Sequence, residues 1–129
     1  MTDPISDMLN RIRNAQAVSH EAVEIPFSKI KEEMAKILEE QKIIKKIEIK
    51  KKKNNKIIKL FLNYNNKIGI ITGLKRISKP GQRIYSNFKD LGKIKKRTGI
   101  LIISSSKGLI TDKEARQKKL GGEVLCEIW

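Results

Sequence analysis

Ile100-Leu101-Ile102-Ile103-Ser104-Ser105-Ser106-Lys107-Gly108 is the stretch on which the reading of this chain turns. Its four leading apolar residues are the strongest strand signal in the sequence. Three hydroxyls, a lysine and a glycine then break the strand, so a rigid element would hold Ser104, Ser105 and Ser106 at its end. Hydroxyls both donate and accept, which suits base edges and ribose 2′-OH groups. Lys107 suits phosphate, and Gly108 lets another backbone come close. A polar surface turn would use the same residues, and the stretch by itself leaves both readings standing.

Working outward, Leu109 and Ile110 resume the apolar pattern, and Thr111-Asp112-Lys113-Glu114 forms a capping box that opens a short helix to about Lys118. Gly121-Gly122 ends that helix, and Val124, Cys126 and Ile128 alternate in a last strand. Upstream, residues 87–98 form a polar, Lys-rich connection. Residues 74–79 and 83–86 flank Pro80-Gly81, whose order predicts a type II turn with glycine at positive φ. Residues 65–73 hold no helix pattern and mark a junction. Before them, residues 43–50 and 57–64 predict a hairpin, with Ile58, Leu60, Leu62 and Tyr64 on one face and a charged Lys50-to-Lys56 tip. The chain opens with helix, strand and helix. Thr2-Asp3-Pro4 starts the first helix, whose stripe is Ile5, Met8, Leu9, Ile12 and Ala15. Val23 and Ile25 alternate up to Pro26, and Ser28 caps a second helix with the stripe Ile30, Met34, Ile37 and Leu38. The expected fold is α+β, with an N-terminal αβαββ lobe over residues 1–65 and a β-rich C-terminal lobe with a short helix over residues 66–129. The two lobes are expected to make one compact structural unit.

Charge is distributed unevenly along these elements. The 129 residues carry a net charge of +15. Residues 1–40 hold 5 basic and 8 acidic side chains, residues 41–100 hold 19 and 2, and residues 101–129 hold 5 and 4. A chain whose middle holds nearly all the excess is built to meet a polyanion there, and nucleic acid is the leading candidate. An anionic membrane is the rival, but residues 41–100 contain no basic amphipathic helix to serve it. The longest largely apolar stretch, Ile68 to Leu74, is far short of the about 20 residues of a membrane span. Asp3 and Asp7 stand where a leader would carry basic residues, so no targeting peptide is expected.

Catalytic chemistry finds little footing. No nucleophile elbow, HExxH, Walker loop or GxGxxG occurs. A single cysteine and a single histidine, Cys126 and His20, exclude a thiolate–imidazole metal cage, so neither metal nor cofactor is expected. Cys126 reads as a small buried hydrophobe and His20 as a loop residue. Binding chemistry gathers instead around the serines. Tyr85 ends a short strand in a basic stretch, where its ring would stack on an unpaired base or fill a core. Glu123, beside Gly121 and Gly122, would accept from a base amino group, orient Lys107 or cap a turn.

These segments together resemble a known family. Thr2-Asp3-Pro4-Ile5 through Met8-Leu9, with Arg11-Ile12-Arg13-Asn14-Ala15, match its opening. Ile25-Pro26 and Ser28-Lys29-Ile30-Lys31 match a second block, and Lys75-Arg76-Ile77-Ser78-Lys79-Pro80-Gly81 with Arg83-Ile84-Tyr85 a third. Gly99 to Gly108, Thr111-Asp112, Glu114-Ala115-Arg116 and Gly121-Gly122-Glu123-Val124-Leu125-Cys126 match the most diagnostic segment. Nearly end to end, the chain resembles the bacterial-type small-subunit ribosomal protein conventionally numbered eight. The resemblance implies a two-lobed, non-catalytic α/β protein that binds a central-domain stem of small-subunit ribosomal RNA during assembly, beside neighbouring small-subunit proteins. It also implies binding to a similar stem in the protein's own messenger, and a place on the ribosome in a bacterial cytoplasm or a plastid stroma. RNA contact carries over to Ser104, Ser105, Ser106, Lys107 and Gly108, to Tyr85, to Gly121, Gly122 and Glu123, and to Arg13, Asn14 and Lys29. Ser105 departs from the family's usual threonine, losing a methyl and keeping the hydroxyl. A free-standing RNA-binding regulator of messenger translation is the alternative within binding proteins. An RNA-processing enzyme is the alternative outside them, and it lacks an acid–base or metal constellation.

Overall fold

The computed structural model describes residues 4–65, 68–96 and 98–129, which divide into two compact units, Met1–Ile71 and Thr72–Trp129. The expected Thr2 cap lies outside the described residues.

The N-terminal unit opens with α1 (Pro4–Ala17), β1 (Ala22–Pro26) and α2 (Lys29–Glu40), followed by β2 (Ile44–Lys52) and β3 (Asn55–Leu62). Helix α1 buries the stripe read from its spacing: Ile5, Met8, Leu9, Ile12 and Ala15. Helix α2 begins where Ser28 accepts a hydrogen bond from the Lys31 N–H at 3.2 Å. Its inward face differs from the expected one at a single turn. Ile30 is 36% exposed, and the aliphatic stem of Lys31 takes the inward position ahead of Met34, Ala35, Ile37 and Leu38. Three strands form an antiparallel sheet in the order β1-β3-β2. Ile58, Leu60 and Leu62 lie buried along β3, matched by Ile25 on β1 and Ile44 on β2. Each such side chain contributes about 1.5–3 kcal/mol on burial, which is what holds so charged a hairpin in register. The hairpin closes more tightly than the spacing suggests, with Lys52 opposite Asn55. Two short strands, β4 (Tyr64–Asn65) and β5 (Ile68–Gly69), follow, so Tyr64 lies outside β3.

The C-terminal unit contains β6 (Leu74–Arg76), β7 (Tyr85–Ser86), α3 (Leu91–Ile94), β8 (Ile100–Ser105), β9 (Gly108–Thr111), α4 (Asp112–Lys118) and β10 (Gly122–Ile128). Strand β10 is central. It pairs with β8 on one side and with both β6 and β7 on the other, while β9 pairs outside β8. One face packs as a core of Leu91, Leu101, Ile103, Ile110, Ala115 and Val124. Ile102 and Cys126, on the opposite face, are buried as well. Burial on both faces is why residues 100–103 read as an unbroken apolar run rather than an alternating one.

Three local readings need correction. The Pro80-Gly81 turn is closed by reciprocal backbone hydrogen bonds between Lys79 and Gln82, 2.9 Å each. Gly81 is not at positive φ, so this is not a type II turn; proline at the first corner suits type I as well, and the glycine does not use its freedom. The Thr111 hydroxyl caps α4 by accepting from the Glu114 N–H, but the Glu114 carboxylate pairs forward with Lys118 at 2.8 Å. Only one arm of the capping box is therefore made. Finally, the connection over residues 87–98 contains α3, whose four residues are too few to show a helical period but anchor Leu91 in the core.

Candidate nucleic-acid interface

Strand register brings together three segments that are far apart in sequence. On β10, Glu123 lies opposite Tyr85 of β7 on one side and opposite Ser104 of β8 on the other, and Ser104 faces Leu109 of β9. Residues opposite one another share a face of the sheet, so Tyr85, Glu123 and Ser104 form one rank about 10 Å long. Tyr85 is 71% exposed, which decides against a core role and leaves its ring free to stack. Glu123 is held by Arg83, whose guanidinium donates to the carboxylate at 3.1 Å. Arg83 therefore joins the site, orienting Glu123 in the role that the sequence left open for a partnership with Lys107. The alternation of Arg83 with Tyr85 is the signal that could have found it.

One residue beyond the rank, β8 turns into β9 through Ser106 and Lys107, both exposed. Neither turn residue is at positive φ, and Gly108 takes the twist at φ 101, which glycine alone adopts without steric cost. The three serines are not equivalent. The Ser105 hydroxyl donates to the Gly108 carbonyl at 2.8 Å and accepts from the Lys107 N–H at 3.1 Å, stapling the turn. Ser104 is half-buried on the rank. The Ser106 hydroxyl and the Lys107 ammonium have no partner among the described residues. Of the hydroxyls, Ser106 is thus the best placed to meet a ligand with its donor unspent.

Gly121 and Gly122 have a packing reason of their own. Helix α4 already ends on Lys119 in the left-handed region at φ 55, so the glycines are not its cap. A Cβ on Gly122 would stand 2.2 Å from the Ser104 carbonyl oxygen, and one on Gly121 would stand 2.6 Å from that of Ser86. The bare backbones let β10 close against β8 and β7, and so bring Ser104, Glu123 and Tyr85 into rank.

The remaining candidates belong to the N-terminal unit. Arg13 and Asn14 are exposed on α1 between the buried Ile12 and Ala15, and Lys29 is the exposed first residue of α2. His20 is exposed and Cys126 is buried and free. Among the described residues no three metal-ligating side chains come together, and no helix is long and apolar enough to cross a membrane.

The C-terminal unit thus presents donors, acceptors, a cation and a free ring on a rigid sheet end, groups that suit base edges, ribose, phosphate and the face of an unpaired base. A family model described as ribosomal protein S8 matches residues 3–129. A protein called small ribosomal subunit protein uS8 from Streptococcus sanguinis is 52% identical over 130 aligned positions, covering all of this chain and 98% of the relative. The protein of the same name from Pediococcus pentosaceus is 54% identical with the same coverage, and that from Clostridium novyi 52% over 129 positions. The chain belongs to the ribosomal protein S8 family, as its resemblance to that family led us to expect.

Proposed function

We propose that this protein is a non-catalytic constituent of the small ribosomal subunit that binds a central-domain stem of small-subunit ribosomal RNA directly and helps the subunit assemble beside neighbouring proteins. The observation that carries this reading is the rank Tyr85–Glu123–Ser104 with the Ser106–Lys107 turn beside it. Tyr85 stacks on an unpaired base, Ser106 and Ser104 reach base edges or ribose, and Lys107 meets phosphate. Glu123, set by Arg83, accepts from a base amino group. Gly121 and Gly122 act by permitting the close sheet, Gly108 by permitting the turn, and Ser105 by stapling it. Arg13, Asn14 and Lys29 add contacts from the N-terminal unit. The bacterial relatives support a place on the ribosome of a bacterial cytoplasm. A messenger stem of the same shape, the protein's own included, meets the same groups.

Ser106→Ala tests the reading. It should weaken the central-domain stem by about 1–3 kcal/mol, roughly one to two decades in affinity, because an RNA polar group is left without its partner. Folding stability should move by less than about 0.5 kcal/mol, since one exposed oxygen is removed. Stem affinity and a melting curve, measured together, check both halves. Parental affinity would return the turn to an ordinary surface loop.

A further inference from the structure

The C-terminal unit also carries a half-open groove of about 310 Å³, apart from the serine turn. Lys75 on β6, Lys79 at the start of the proline turn and Lys96 just past α3 line it. All three are exposed, and none has a carboxylate partner among the described residues. Elsewhere on the chain many lysines and arginines do pair, Lys95 and Arg116 with Asp112 for example. The one acidic residue in the groove, Glu127, is only 1% exposed, and its carboxylate accepts from the Lys96 backbone N–H at 3.2 Å. That bond fixes the segment that carries Lys96 against β10. Register also separates the groove from the serine site. In strand register Lys75 lies opposite Glu127 and Glu127 opposite Leu101, on the face that holds the Leu101–Ile103 core, whereas Ser104 and Glu123 occupy the other face.

We propose that this groove is a second phosphate-binding site, taking the sugar–phosphate backbone of an RNA segment other than the one met at the serine turn. The proposal rests on the RNA-binding reading above. Lysines bind phosphate as point charges and need no matched fork, which suits a concavity lined by separate ammonium groups. A site of this kind adds affinity and salt dependence and reads no sequence.

The test compares two triple variants of the full chain against a labelled 20-base-pair RNA hairpin of arbitrary sequence. One variant is Lys75→Gln/Lys79→Gln/Lys96→Gln. The other, Lys113→Gln/Lys118→Gln/Lys119→Gln, removes the same charge from α4 and its end. The groove triple should lose about ten- to thirtyfold in affinity at ~0.1 M KCl and flatten the slope of log K against log salt by about 2–3, one contact per phosphate. The α4 triple should stay within about threefold. In the parent, the hairpin should shift the NMR methyl signals of Ile77, Ile84 and Ile94, which line the groove, and it should do so equally in Ser106→Ala. Equal losses in the two triples, or silent groove methyls, would overturn the proposal. So would polyglutamate shifting those methyls more than RNA does at the same salt, which would make the groove a site for an acidic protein. A Ser106→Ala variant that loses the central-domain stem while the groove methyls stay silent sinks this inference alone. Groove shifts with an unaffected Ser106→Ala stem affinity sink the serine reading alone.

Discussion

Each unit carries an antiparallel hairpin closed by two residues, and the two are equipped in contrasting ways. Strands β2 and β3 meet at Lys53-Asn54, where a lysine sits in the left-handed region at φ 50. Strands β8 and β9 meet at Ser106-Lys107, where glycine takes the positive φ. The first hairpin is loaded with long cationic side chains. Lys46 bonds to Glu48 at 3.0 Å and holds that carboxyl below its ordinary pKa, and Lys50 lies 3.8 Å from the same group. Lys52 pairs with Glu24 at 3.2 Å, while Lys51 and Lys53 have no partner among the described residues. The second hairpin carries short hydroxyls on strands buried on both faces. Long flexible charges attract any polyanion at a distance of about a Debye length. Short groups on a rigid sheet reward only a partner whose atoms fall in the right places. On the function proposed above, the contrast assigns attraction to the first hairpin and recognition to the second.

The largest effect should come from breaking the rigidity of the second hairpin. Gly122→Ala places a methyl 2.2 Å from the Ser104 carbonyl, against backbone that cannot swing aside. We expect a loss of about 3 kcal/mol or more in folding stability by urea denaturation. Asn54→Ala at the tip of the first hairpin, exposed and outside both strands, should cost less than about 0.5 kcal/mol. Similar values for the two would mean that neither hairpin is held more firmly than the other.

Next in size is the charge of the first hairpin. Changing Lys50, Lys51, Lys52 and Lys53 to Gln should weaken the central-domain stem and a random RNA by the same factor, about tenfold near 0.1 M salt, and flatten the salt dependence of both. Most of the loss should follow Lys51 and Lys53, since Lys50 and Lys52 are already near carboxylates. A loss confined to the cognate stem would show base-reading at the tip and dissolve the contrast.

These residues also show what the sequence could reveal. Helical stripes and the β3 alternation were legible because one face of each is buried and the other is not. Ser28 and Thr111 were legible as caps because their hydroxyls act locally. Ile30 departs from its stripe because a lysine stem can cover apolar surface as well as an isoleucine can. The rank across β7, β10 and β8 was not legible at all. Its members lie 38 and 19 positions from one another along the chain, and only register, set by tertiary packing, aligns Tyr85 and Ser104 with Glu123. Nor could spacing tell Ser105 from Ser106, since their difference lies in which hydroxyl the turn consumes.

That difference yields the smallest effects and the finest test. Ser105→Ala removes the donor to the Gly108 carbonyl and the acceptor for the Lys107 N–H, so the turn loses both ends of its staple. Stability should fall by about 1 kcal/mol, as for a typical internal hydrogen bond. RNA affinity should fall less than in Ser106→Ala, because the Ser106 hydroxyl, which we propose meets the RNA, is still present on a looser turn. Ser105→Thr keeps the hydroxyl and adds a methyl at a strand position, where β-branched side chains are favoured, so stability should change by less than about 0.5 kcal/mol. Adjacent serines should therefore give opposite readouts, Ser105 in the melting curve and Ser106 in the binding curve. If Ser105→Ala melts like the parent while its RNA affinity collapses, its hydroxyl faces the ligand in solution and the staple is not what shapes this hairpin.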